Sequence, residues 1–457
     1  MNAEEHVSEL IEKARKAQRV FEEYSQEEVD RAVRAIGKAV YDDGEALAKL
    51  AVEETGMGNV EDKIKKNMGK PKVTWQKMKS QKSRGIVRYI DKECLVEIAK
   101  PMGVIGAVMP VTNPVMTPVH NAMIALKGGN AIIVCPHPKG MKSGTETVMS
   151  MRRALSAVGA PEDLIQVVGE ASIEVSGLIM KGTDACISTG GPGMVRAAYS
   201  SGKPAFGVGP GNIQSIFDTD ADIRDAVTKT VAGRIYDNGV LCTCEQSAIV
   251  PSSKVDEIMA EFRSQGAYTV TESADVEAFR KALFPGGNVN KEVVGRKPAE
   301  IAKTAGFDIP GDTKLIVIRA EKFGAEEPLA KEKLFPVLSI FVYGSWEEAV
   351  EIAAANIENE GTGHSCVIHS DDKEHVEQAA LRLKVSRLVV KQQGSNSLGG
   401  TLSNGLAPTG TLGCGSWGGN SLSENLWWNH LVNISRIAYQ IPDPPGLKLT
   451  DEEIWAE

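Results

Sequence analysis

The sequence predicts an α/β protein built on two parallel sheets. From about residue 103, short apolar runs alternate with stretches of helical periodicity, the pattern of strands joined by helical crossovers. A second series of the same kind follows Cys242. With 457 residues, the chain exceeds what one core organises, so two or three domains are expected.

Residues 5–24 read as an amphipathic helix, with Val7, Leu10, Ile11, Ala14, Ala17, Val20 and Phe21 on one face. A second helical stretch over 26–56 follows directly, with Ser25 as its N-cap, so both are expected to pack on the core. Apolar runs at 86–90 and 94–99 flank Asp91, Lys92 and Glu93 and read as a β-hairpin. Strands are then expected at 104–109, 131–134, 164–168, 185–188 and 214–217, with helices at 114–128, 143–158, 171–181 and 192–201. The second series places strands at 246–250, 314–318, 337–343, 365–369 and 387–391, and helices at 221–237, 253–265, 274–284, 346–356 and 371–383. The tail over 399–420 is rich in Gly, Ser, Thr and Asn and reads as an ordered loop wrapping a site.

Hydrophobic content of 42% and charged content of 24% are ordinary for a soluble globular protein. The net charge of -9 argues against a nucleic-acid or anionic-membrane partner. The acidic N-terminus lacks an apolar signal region, and no apolar run reaches membrane-spanning length. Seven scattered cysteines, at 94, 135, 186, 242, 244, 366 and 414, fit a reducing cytoplasm better than a disulfide framework.

The most informative stretch is Tyr236-Asp-Asn-Gly-Val-Leu-Cys242-Thr-Cys244-Glu-Gln-Ser247. Cys242 ends a polar, Gly-containing turn before the apolar run 248–250, a position that presents a thiolate to a cleft. Cys94, Cys135 and Cys186 lie in apolar strand segments and read as structural. A Cys-x-Cys metal site at 242 and 244 would need further ligands that no second cysteine pair supplies, so no metal is expected. Upstream, the stretch 204–212 holds no acidic residue. A reactive cysteine with no carboxylate base beside it predicts an acyl-enzyme that is not meant for water.

Several uncommon words occur in one order: Val111-Thr-Asn-Pro114, Pro136-His-Pro138, Gly207-Val-Gly-Pro-Gly-Asn212, Cys242-Thr-Cys-Glu-Gln246, Glu332-Lys-Leu-Phe-Pro336, Gly363-His364 and Leu412-Gly-Cys-Gly-Ser-Trp-Gly-Gly-Asn420. Through them the chain resembles the CoA-acylating branch of the aldehyde dehydrogenase superfamily, from about residue 5 to 440. The resemblance implies that family's fold: a Rossmann-like cofactor domain over 1–212, a catalytic domain over 213–425, and an oligomerisation segment over 426–457. The hairpin at 84–100 would also serve oligomerisation, giving a homodimer or homotetramer.

The same resemblance assigns roles. Cys242 matches the nucleophile that forms a thiohemiacetal and then a thioester. Asn113 matches the oxyanion-hole amide. His364 matches a histidine near the nicotinamide and acyl group. Glu332 matches the glutamate on the nicotinamide ribose, with Pro336 fixing its loop. Thr112, Pro136, His137, Pro138 and Lys139 would flank the cofactor. Ser188, Thr189, Gly190 and Gly191 match the turn near the pyrophosphate, and Gly207 and Gly209 lie in the strap beside it. Hydrolytic members carry a glutamate at the position of Gly207, so coenzyme A is the implied acyl acceptor. The cofactor is NADP or NAD, and Lys139 favours NADP. The polar stretch 391–411, with Lys391, Ser395, Asn396 and Ser397, is expected to line an acyl pocket for a short or anionic chain. Succinate semialdehyde is the first expectation, then sulfoacetaldehyde, then acetaldehyde. No alcohol dehydrogenase domain is expected to follow, and a hydrolytic enzyme is the alternative that Gly207 opposes.

Overall fold

The computed structural model describes residues 2–442, Pro444 and 448–456. Four helices open the chain: α1 (Ala3–Glu22), α2 (Gln26–Asp42), α3 (Gly44–Thr55) and α4 (Val60–Met78). Capping boxes start α1 and α2, pairing Asn2 with Glu5 and Ser25 with Glu28, which satisfies N–H groups that a helix start leaves open. The single stretch expected over 26–56 is therefore two helices. The break falls at Gly44, where α4 comes so close that a Cβ would lie 2.9 Å from Met68 Cγ. Helix α4 occupies residues left without an element by the sequence reading. Asn59 caps it, accepting the Asp62 N–H at 2.9 Å.

The hairpin forms as expected, from β1 (Gly85–Ile90) and β2 (Leu95–Pro101). A five-stranded sheet follows: β3 (Val104–Val108), β4 (Ala131–Cys135), β5 (Ile165–Val167), β6 (Ala185–Thr189) and β7 (Ala205–Val208). Its crossovers are α5 (Met116–Lys127), α6 (Met141–Ala157), α7 (Ile173–Gly182) and α8 (Pro192–Tyr199). The order is β5-β4-β3-β6-β7, every pair parallel. The strand order reverses between β3 and β6, and in such sheets the crevice lies outside the carboxyl ends at that switch point.

The chain enters a second sheet at β8 (Ile213–Phe217), followed by β9 (Glu245–Pro251), β10 (Ala267–Val270), β11 (Leu315–Arg319), β12 (Val337–Tyr343), β13 (Gly363–His369) and β14 (Val385–Val390). Seven strands lie in the order β10-β11-β12-β9-β8-β13-β14, again all parallel. The helices are α9 (Ile223–Ile235), α10 (Val255–Ser264), α11 (Ser273–Leu283), α12 (Pro298–Thr304), α13 (Trp346–Asn359), α14 (Lys373–Arg382) and the single turn α15 (Gly394–Ser397). Burial on both faces explains why β3, β4 and β8 are buried throughout and read as unbroken apolar runs.

Near the end, β15 (Val432–Ala438) pairs antiparallel with β2 to make a third sheet, β1-β2-β15, and a short α16 (Asp451–Ile454) follows. The strap between the large sheets, 209–212, is anchored by buried Asn212. Its side-chain amide donates to the carbonyls of Ala330, Asn356 and Glu360 at 2.7, 3.0 and 3.0 Å.

Candidate active site

Helix α9 ends just before the cysteine turn. Asp237 and Asn238 both adopt left-handed backbone, with φ of 51° and 52°, and this redirects the chain into the loop that carries Cys242. Buried Arg234 braces that loop from α9. It donates to the carbonyls of Glu245 (3.0 Å), Gly239 (2.6 Å) and Lys333 (2.6 Å). One guanidinium thereby ties the cysteine loop to the loop carrying Glu332. Gly211 packs directly on Cys242, where a Cβ would collide with the Cys242 carbonyl. Its N–H donates to Glu332 Oε1 at 2.9 Å.

Cys242 sits where two cavities meet, of about 580 and 510 Å³. Asn113 and Gly410 line both cavities with it. The smaller cavity lies at the switch point. Val108 and the loop to Asn113, then Pro136, His137 and Pro138, then Thr189, Gly190, Gly191, Gly209 and Glu332 form its wall. The larger cavity is walled by α4, through Asp62, Lys65, Lys66 and Lys70, and by Tyr236, Ser395, Asn396 and Thr409.

Burial raises the Cys242 thiol, and the negative charge of Glu332 adds to this, while Arg387 opposes it. The thiol is therefore protonated at neutral pH until a ligand or base takes its proton. Burial also raises the Glu332 carboxyl to about 8, against the pull of the Gly211 N–H. It can therefore both hold and release a proton near neutrality. Cys244 is buried, raised to about 12 chiefly by burial, and its thiol faces the Tyr236 carbonyl at 3.8 Å. An inert structural thiol follows from those surroundings.

The remaining expected residues divide by position. Thr112 lies on the smaller cavity, and its carbonyl accepts Lys63 Nζ at 3.3 Å. His364 is fully buried and lines neither cavity. Its Nδ1 faces Ser365 Oγ at 3.0 Å, and burial with the Arg387 charge holds it down to about 3. The neutral imidazole is thus built into β13. Ser188 is buried within β6, and Pro336 is buried at the start of β12. Lys139 is exposed beyond Pro138. Ser397 is buried and lines neither cavity.

Lys391 departs from the expectation. Its ammonium pairs with Asp371 at 2.6 Å on the outer surface, so the pocket stretch begins at Gln393 instead. β14 ends at Val390, and the chain meets the cavity from Gln393 through α15 and the loop to Leu412.

Gly207 lies in β7 beneath α8. Its N–H donates to the Tyr199 hydroxyl at 2.9 Å. A Cβ there would lie 2.6 Å from Val195 Cγ1 and 3.0 Å from Tyr199 Cε2. The place where a base would project is already filled.

Comparison with known proteins decides the class. The profile of the Aldehyde dehydrogenase family matches residues 1–282. The chain belongs to the aldehyde dehydrogenase family. A relative, the succinate-semialdehyde dehydrogenase (acetylating) of Clostridium kluyveri, is 48% identical over 460 residues, covering 100% of both chains. A sulfoacetaldehyde dehydrogenase of an Acholeplasma species is 40% identical, covering 98% of this chain and 93% of the relative. The crystal structure of an acetylating aldehyde dehydrogenase from Geobacillus thermoglucosidasius superposes with a TM-score of 0.93 at 36% identity, over 97% of this chain and 98% of that one. This dehydrogenase therefore sits in the CoA-acylating branch and is an oxidoreductase acting on aldehydes.

Hydrophobic periodicity does not single out the residues that α4 contributes, nor buried Asp237 and Arg234. Five lysines between 63 and 72 look like a solvated face. The available signal was the Asn59 cap followed by Glu61 and Asp62, a helix start.

Proposed function

We propose that this enzyme oxidises a short anionic aldehyde to its CoA thioester, with succinate semialdehyde as the first candidate. Gly207 carries the acylating part of the reading. Its backbone is packed under Val195 and Tyr199, no carboxylate projects there, and Cys242 still opens onto both cavities.

The smaller cavity fits a dinucleotide. Open space lies over Gly191 before α8, and Glu332 supplies a carboxylate to the wall. Pro136, His137 and Pro138 would flank the adenosine half, Thr189 to Gly191 the pyrophosphate, and Glu332 the ribose beside the nicotinamide. The bound nicotinamide supplies the hydride acceptor. Exposed Lys139, next to this wall, favours NADP over NAD.

Cys242 Sγ attacks the aldehyde carbon once its proton is gone. The Asn113 amide and the Cys242 N–H stabilise the oxyanion, where losing one donor costs roughly 2.7–4 kcal/mol of barrier. After oxidation the acyl group remains on Cys242 as a thioester. The CoA thiol then displaces it, with no carboxylate at 207 to activate water.

The larger cavity supports the anionic substrate. Lys65 pairs with Asp62 at 2.9 Å, and Lys63 and Lys66 share Asp237. Lys70 donates to the carbonyls of Gly399 and Thr409 at 3.0 and 3.1 Å, and no carboxylate pairs with it among the described residues. Such an ammonium on a cavity wall suits the distal anion of a substrate. Sulfoacetaldehyde is the second candidate, because Ser395 and Asn396 lie on the same wall and can donate to a sulfonate. The β1-β2-β15 sheet exposes Ile86, Tyr89 and Ile437, and Tyr439 just past β15 is also exposed, which supports pairing with another copy through this sheet.

Mass spectrometry after mixing the enzyme with succinyl-CoA, without reductant, tests the reading. A succinyl adduct on the peptide containing Cys242 is expected; an unmodified Cys242 would overturn it.

A further inference from the structure

We propose that Lys66 is a positioning residue that fixes the orientation of the Asn113 amide, and that Asp237 in turn fixes Lys66. The inference rests on the reading of Asn113 as an oxyanion donor. Lys66 is 7% exposed and Asp237 fully buried. Lys66 Nζ donates to Asn113 Oδ1 at 2.6 Å and also to Asp237 Oδ2. Lys63 Nζ donates to the same Oδ2 at 3.0 Å and to the Thr112 carbonyl at 3.3 Å. Two consecutive residues of the loop after β3 are thus held by two lysines of α4, and one carboxylate from the cysteine turn holds both lysines. The Asn59 N–H binds the other oxygen, Asp237 Oδ1, at 2.9 Å.

Chemistry makes this arrangement directional. A carboxamide presents an acceptor on one side and two donors on the other, with nearly the same shape when flipped. An ammonium has donors only, so Asn113 must turn its oxygen to Lys66. The Nδ2 group then faces the other way, with Thr112 Oγ1 at 3.3 Å as its one partner among the described residues. A flipped amide would offer a lone pair to the developing oxyanion and repel it. Lys66 therefore acts on the reaction through Asn113.

The test is a double-mutant cycle with Lys66→Met and Asn113→Ala, measured on acetaldehyde so that no distal anion is involved, with folding checked by thermal unfolding. Asn113→Ala alone is expected to lower kcat by about a hundredfold or more, and Lys66→Met by about ten- to a hundredfold. In the Asn113→Ala background, Lys66→Met is expected to add little, and Lys66→Arg to restore part of kcat in the native background. KM should change little throughout. If Lys66→Met fails to fold, Lys66→Gln replaces it, since its amide oxygen can accept from a flipped Asn113. Additive losses, with Asn113→Ala costly by itself, would overturn this inference alone. A harmless Asn113→Ala would overturn the oxyanion reading and this inference with it. A change confined to KM would make Lys66 a binding residue and also overturn the inference.

Discussion

At the residue scale, the two neighbouring cysteines separate cleanly. Cys242 opens onto both cavities, whereas Cys244 is fully buried. Cys242→Ala is expected to abolish turnover while nicotinamide cofactor still binds, measured by activity and by fluorescence titration. Cys244→Ser should keep most activity; a total loss would mean the pair acts jointly. Lys70 provides a second test. Lys70→Ala is expected to raise KM for succinate semialdehyde about ten- to a hundredfold, the worth of a charge-assisted hydrogen bond of roughly 1.5–3 kcal/mol. Acetaldehyde should be unaffected. Burial lowers the Lys70 ammonium to about 8. Below that pH it is charged and binds the anion; above it the charge is lost. KM for the anionic aldehyde should therefore climb as pH rises past 8, and the Lys70→Ala variant should show no such climb.

At the element scale, α8 packs on β7 so closely that a side chain at residue 207 would meet Val195 and Tyr199. Gly207→Glu is expected to leave the enzyme without CoA-independent turnover and to lower its melting temperature, because the new side chain meets Val195 and Tyr199. Free acid released at a rate near that of the CoA reaction would contradict this. Arg234→Met should cost at least about 3 kcal/mol, since it leaves three buried carbonyls without their donor, each worth roughly 1–3 kcal/mol; chemical denaturation measures it. Much of this scale was legible in the sequence. The strand expected at 337–343 forms over those residues, because Leu338, Ile340, Phe341 and Val342 suit a buried strand. The loop expected at 399–420 carries no helix or strand beyond the 3-10 turn Ser416–Gly418 and an isolated bridge from Leu412 to Asn425. Helix α4 was only partly legible: Asn59, Glu61 and Asp62 mark its start, but buried Lys63 and Lys66 break the apolar periodicity of its inner face and Pro71 interrupts the pattern. The strands β7 and β10 were not legible because Gly207 and Thr269 break their short apolar runs.

At the scale of the whole molecule, sequence order hides which segments meet. Lys66 and Asn113 lie 47 residues apart, and Lys66 and Asp237 171 apart, so no local pattern announces their contact. The motif words around Cys242 and Gly207 were readable because each is contiguous. The apolar faces of β1 and β15 lead to a further expectation, a dimer or tetramer by light scattering, weakened by Tyr89→Glu together with Ile437→Glu. The central claim is that the acyl group leaves Cys242 to a thiol and not to water. NAD(P)+ reduction by the purified enzyme, with and without CoA, tests it most directly across succinate semialdehyde, sulfoacetaldehyde and acetaldehyde. Strict dependence on CoA, with the highest kcat/KM on succinate semialdehyde, is the predicted result. Equal rates without CoA would contradict it.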